Sequence, residues 1–232
     1  MSVVLKPSDF AATQPRYNIY TIIHKGLRGF MVDTLLRWGK ADVADEAELV
    51  SVIAQARGLL DMCAGHLHHE NEFIHPVLES ARVGAATQTR DDHVEHETAI
   101  AGMRKQVAMV EAAQDVRRAE LAQQFYLQLS VFVAENFEHM MIEETANHAV
   151  LSSTHSDAEI LAIEHRIVSS LKPEQSFIGL RWMLSHINAT ERAFMLGGMK
   201  RNAPPPVFAT AMGLAREVLS DRDFNKLETA LA

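Results

Sequence analysis

Ten residues, HLHHENEFIH at positions 66–75, hold four histidines and three carboxylate or amide partners, with no lysine or arginine among them. A second decamer, HMMIEETANH at 139–148, shares the pattern His-x3-Glu-x4-His. Imidazoles beside carboxylates offer nitrogen and oxygen lone pairs, and metal binding is the chemistry that such a set suits. On a helix, residues four apart differ by roughly 40° and share a face. His66 with Glu70, and His139 with Glu143, each make such a pair. His75 and His148 fall about 180° from the first histidine of their segments and are expected to face away. The same holds for Glu72-x-x-His75. His68 reads as a surface residue, and His69 lies between surface and a supporting place beside the ligands.

One His-x3-Glu pair is common on helix surfaces and is worth only a few tenths of a kcal/mol. Two of them, with histidines on two further helices, point to one shared site. His24 sits in an apolar stripe directly after Ile23, and DDHVEHE supplies His93 and His96, three apart and about 60° different in direction. The candidate set is His24, His66, Glu70, His93, His96, His139 and Glu143. Mixed imidazole and carboxylate ligands suit iron, manganese or zinc. Two carboxylates reaching between helices can bridge a pair of ions, and five nitrogens leave a coordination position open for a small molecule such as O2. Histidines and glutamates placed in apolar stripes are costly unless paired or metal-bound.

Long helices must carry these residues. Residues 1 to about 16, with Pro7 and Pro15, read as an irregular arm. Apolar residues then recur at steps of three and four from Ile19 to Trp38 in a helix starting near Tyr17. A second helix is predicted from about Ala47 to Ser80, with Pro76 kinking or ending it. A short connection at Arg82–Ala86, containing Gly84, leads to a third helix over about 87–113. A charged bend near Asp115 precedes a fourth over about 117–150. Four long helices with short connections make an up-down-up-down bundle over residues 17–150. Beyond it, capping boxes at Ser156/Glu159 and Asn188/Glu191, with Pro173 at a helix start, predict shorter helices near 157–171, 173–186, 189–201, 205–219 and 221–231. This all-α extension, residues 156–232, is expected to pack on the bundle.

Composition agrees. Of 232 residues, 47% are apolar while Gly and Pro are sparse, a mix that favours helices. A net charge of −8 leaves no basic stripe for nucleic acid and no polybasic attraction to lipid. No apolar run is long enough to span a membrane. Cys63 is the single cysteine, read as a small buried residue, so no disulfide framework can form within the chain. A cytoplasmic protein is expected, the first residues showing no signal-peptide core. Met31, Met103, Met140 and Met141 read as core fill, and His165 and His186 as surface or packing residues.

Taken together, His24 followed by Leu27-Arg28, His66-x3-Glu70 with Pro76, Glu95-His96, and His139-x3-Glu143-Glu144 resemble the hemerythrin-like, or HHE cation-binding, domain over about residues 17–150. The resemblance implies a four-helix bundle with two non-haem irons, manganese or zinc being alternatives in isolated protein. It implies a diatomic ligand, O2 or NO, bound for sensing, storage or stress response. A di-iron peroxidase, oxidase or nitric-oxide-handling enzyme of the iron–sulfur repair type is the alternative. A homodimer stays open. Carried over by motif, the ligands are His24, His66, Glu70, His96, His139 and Glu143. The oxygen carriers place two histidines four apart on the third helix, where this chain has Asp92 and Glu97 at the matching offsets, so His93 is the least certain ligand. The carriers' last carboxylate would fall on Glu144, but helix geometry favours Glu143.

Overall fold

The computed structural model describes residues 16–232, so the expected N-terminal arm lies outside the described residues but for Arg16. The described residues are helical, with no β-strand among them. Helix α1 spans Thr21–Lys40, a few residues later than its periodicity suggests. The second long helix is α2, Glu46–His69, then a π-helical turn, Glu70–Ile74, then α3, His75–Ala81. After Arg82–Ala86 comes α4, Thr87–Ala112. The fourth is likewise interrupted: α5, Asp115–Ile142, a π-helical turn at Glu143–Asn147, and α6, His148–Thr154. The shorter helices are α7 Asp157–Ser170, α8 Pro173–His186, α9 Ala189–Asn202, α10 Pro205–Val218 and α11 Asp221–Leu231.

Local chemistry sets these ends. Asp45 caps α2, its carboxylate accepting from the Ala47 and Glu48 amides at 2.8 and 3.1 Å. Gly84 takes φ +79° in the turn before α4, a conformation open to glycine at little cost. Ser156 and Glu159 exchange the two hydrogen bonds of a capping box, as do Asn188 and Glu191.

The chain divides into two compact units. One comprises Met31–Ser170 with the described residues up to Thr21, and the other comprises Ile22–Phe30 with Leu171–Ala232. In the first, α4 packs along α5, α2 packs on α4, and α3 packs on α6. Leu59, Leu60, Val107, Phe125 and Leu129 are fully buried there. Trp38 packs on Phe125 and donates its indole N–H to the Ala122 carbonyl at 3.1 Å. In the second, α8 packs on α10 and α9 on α11 around Leu184, Leu196, Leu214 and Leu227. There the α1 stretch meets α8: Phe30 stacks on Trp182 with ring centres 4.0 Å apart. Gly29 lies so close to His186 that a Cβ would fall 2.2 Å from that ring. No described helix is long and apolar enough to cross a membrane.

Candidate metal centre

Each π-helical turn begins on a glutamate. The His75 amide donates to the Glu70 carbonyl, and the His148 amide to the Glu143 carbonyl, both i to i+5. A π turn takes in one residue more than an α turn, so the residues beyond it are rotated by about 100° from the α-helical register. This corrects the expectation that His75 faces away. It is buried, its ring stacked on His93 with centres 4.8 Å apart and planes 22° apart. Pro76 gives a local reason for the first turn. It has no N–H for the Glu72 carbonyl, and its ring would crowd that carbonyl in a regular helix.

Glu70 and Glu143 are 2% and 0% exposed. Glu70 faces two histidines with different oxygens: Oε1 lies 3.2 Å from His66 Nε2 and Oε2 lies 3.4 Å from His93 Nε2. Glu143 does the same, Oε2 at 3.3 Å from His139 Nε2 and Oε1 at 3.7 Å from His93 Nε2. Ligand atoms of Glu70, His93, His139 and Glu143 all lie within 4.8 Å of one another, and so do those of His66, Glu70 and Glu143. Both groups share both carboxylates.

The tautomers decide what the cluster can hold. His139 Nδ1 donates to Asp92 Oδ2 at 3.2 Å, and His93 Nδ1 donates to Asn71 Oδ1 at 2.8 Å. With each Nδ1 carrying the proton, each Nε2 presents a lone pair. Those two Nε2 atoms face each other at 3.0 Å, with carboxylate oxygens around them. Only a cation, metal or proton, reconciles so many acceptors in one buried place. Carboxylate or amide oxygens holding the far nitrogen of ligating imidazoles are the usual support of a metal centre.

Protonation shows the same pull. Burial lowers the affinity of His93 for a proton, but its hydrogen bonds to Glu143 and Glu70 outweigh that and raise its pKa to about 9. His139 is raised against the same opposition from burial, by Glu143. For Glu143, burial and the Glu70 charge push upward, yet His139 and His93 hold its pKa down to about 2. His96 is lowered to about 4 by burial, then by His139 and His93. Burial above all, then Glu143 and Glu70, raise the fully buried phenol of Tyr20, while a hydrogen bond with Asn147 works the other way.

His96 is buried but falls outside both groups. Its ring stands edge-on to His139, 5.0 Å between centres, and to Phe132. Of the two α4 histidines, His93 is the one with a nitrogen in one of these groups. His24 is fully buried on α1, in the stretch that belongs with the C-terminal helices. Glu143 is buried and Glu144 half-buried. His68 is exposed beside Glu72, and His69 is half-buried. Cys63 is buried, which pushes its thiol pKa up to about 12. Asn71, Tyr20, Thr89 and Asn147 were not singled out in the sequence. Asp92 was noted only as a departure from the oxygen carriers.

The molecule is thus an all-α protein with a buried histidine–carboxylate cluster whose donor set fits a cation. A model of the hemerythrin HHE cation-binding domain matches residues 19–151, more than half of the chain, and the chain belongs to that family. No curated protein and no solved structure matches it.

Proposed function

We propose that the protein is a non-haem di-iron protein that binds a diatomic ligand, O2 or NO, for sensing, storage or stress response. Residues 17–150 form its up-down-up-down bundle, and residues 156–232 are a helical extension. Glu70 and Glu143 would hold both ions. His66 would hold one ion and His93 and His139 the other, with His96 beside them; the family pattern adds His24 to the ligands. When bound, the iron pair supplies electrons and an open position to the small molecule. The chain's own part is to hold that position in a buried place. Asp92 and Asn71 fix the planes of His139 and His93. The observation that carries this reading is that each buried carboxylate turns its two oxygens toward different histidines.

The test is elemental analysis of anaerobically purified protein, with absorption spectra of that sample before and after air or NO. About two irons per chain and a reversible spectral change are expected. Manganese or zinc in their place, or an unresponsive spectrum, counts against the reading. A second reading, a di-iron peroxidase, oxidase or nitric-oxide-handling enzyme, draws on Tyr20. Its buried phenol keeps its proton beside Glu143 and Glu70, and such a group can serve a bound molecule as a proton donor. Catalytic loss of added peroxide or NO favours this reading over simple binding.

A further inference from the structure

Three buried side chains from separate helices meet at one hydroxyl. Thr89, on α4, accepts a hydrogen bond from Asn147 Nδ2 at 3.2 Å. Its Oγ1 lies 3.4 Å from His75 Nε2 and 3.4 Å from the Ala86 carbonyl. Thr89, Asn147 and His75 are 1%, 3% and 5% exposed. His75 and Asn147 mark the ends of the two π-helical turns. His75 is the fifth residue after Glu70 and donates its amide to that residue's carbonyl. Asn147 is the last residue of the turn that Glu143 begins. One side chain on α4 thus touches both irregular turns, each just beyond a shared carboxylate.

We propose that Thr89 is a positioning residue for both glutamates, holding the two π-helical turns in register. The proposal rests on the reading of Glu70 and Glu143 as metal ligands. Relaxing either turn to α-helix would rotate the residues after it by about 100°. His75 or Asn147 would then swing away from Thr89, leaving a buried imidazole, amide or hydroxyl without a partner it now has, which is costly. The bonds to Thr89 and the widened turns therefore persist together. Each turn fixes the backbone from which its glutamate projects. The hold extends to one ligand ring directly, because His75 lies flat against His93.

The test compares Thr89→Val, which keeps the shape and removes the hydroxyl, with Thr89→Ser, which restores it. His75→Phe keeps a ring against His93 and removes the nitrogen, and it serves also if Thr89→Val fails to fold. Metal-free protein is titrated with Co(II) against a competing chelator, and the visible spectrum of the bound Co(II) is recorded. Thr89→Val is expected to weaken Co(II) binding by about 10- to 100-fold, the range for losing a supporting partner of a ligand, and to change the spectrum. His75→Phe is expected to act in the same direction. Thr89→Ser is expected to return both affinity and spectrum to those of the wild type. Wild-type affinity and spectrum in Thr89→Val and His75→Phe overturn the proposal alone. So does a loss in Thr89→Val that Thr89→Ser shares, since shape would then matter and not the hydroxyl. A wild-type protein that takes up no Co(II) overturns the metal reading, and the proposal with it.

Discussion

The first unit buries Glu70, His75, Thr89, His93, His96, Asn136, His139, Glu143 and Asn147 in its interior. The C-terminal helices α8–α11 close instead over Leu180, Leu184, Leu196, Leu214, Phe224 and Leu227. Among the described residues of those helices, Arg192 is the one buried charged or polar side chain, its Nε donating to the Leu184 carbonyl at 2.8 Å. The helices differ in the same way. The two that carry the acids are broken by π-helical turns, whereas α8 to α11 are regular from cap to cap. Where a segment only has to fold, apolar stripes and capped ends suffice. Buried acids and irregular turns oppose folding, and they persist where a bound group repays them.

Removing the acids tests that contrast most strongly. The double variant Glu70→Ala with Glu143→Ala takes away both carboxylates common to the two groups of ligand atoms. Metal affinity is expected to fall by more than about 100-fold, beyond the range for losing a supporting partner. Metal per chain by elemental analysis reads the outcome, and full retention contradicts the assignment of both residues.

A smaller effect comes from pH. His93 is raised from its ordinary 6.5 to about 9, so in metal-free protein its pairing with the carboxylates stabilises the fold fully below about pH 6.5. That contribution is lost as pH rises through about 9. Glu143 is held at about 2, below its ordinary 4.5, so its contribution is present above about pH 4.5 and lost as pH falls through about 2. His96, held at about 4 by burial, works the other way below pH 6.5, its contribution fading as pH falls toward 4, so the metal-free protein is expected to melt highest near pH 6.5 and progressively lower toward pH 9. A bound metal takes the place of the proton, so loaded protein should show no such decline over that upper range. Melting temperature against pH, with and without metal, separates the two. A metal-free profile that is flat from pH 6.5 to 9 contradicts the pairing.

The contrast also explains what the sequence made legible. The α8–α11 boundaries follow Pro173, the Asn188/Glu191 box and the apolar stripes to within a residue or so, because regular helices obey the 3.6-residue period used to read them. The long helices, the Arg82–Ala86 connection and the two His-x3-Glu pairs were equally readable. The π-helical turns were not. One added residue per turn defeats any angle counted at 100° per residue, and so His75 was expected on the wrong face. Pro76 marked the first interruption, but no proline or glycine marks the second at Glu143–Asn147. His93 and His96 share a helix and differ by only about 60°, so spacing could not rank them. The family pattern favoured His96. What places His93 in the cluster is Asn71, a contact across 22 positions that no local pattern encodes.

The smallest effect is expected where the chain is most regular. Asn188 Oδ1 accepts from the Glu191 amide at 3.0 Å, and Glu191 Oε2 accepts from the Asn188 amide at 2.9 Å. Two amides that the first turn of α9 would leave open are satisfied reciprocally. Asn188→Ala removes one acceptor and leaves the backbone in place, so a loss of about 1 kcal/mol is expected, with Asn188→Ser nearly neutral. Urea unfolding of metal-free and metal-loaded protein measures both. If the C-terminal helices are held by caps and apolar packing alone, the Asn188→Ala loss is the same in the two states and Co(II) affinity does not change. A loss that appears only with metal bound would instead mean that α9 contributes to the centre, and the contrast between the two interiors would need redrawing.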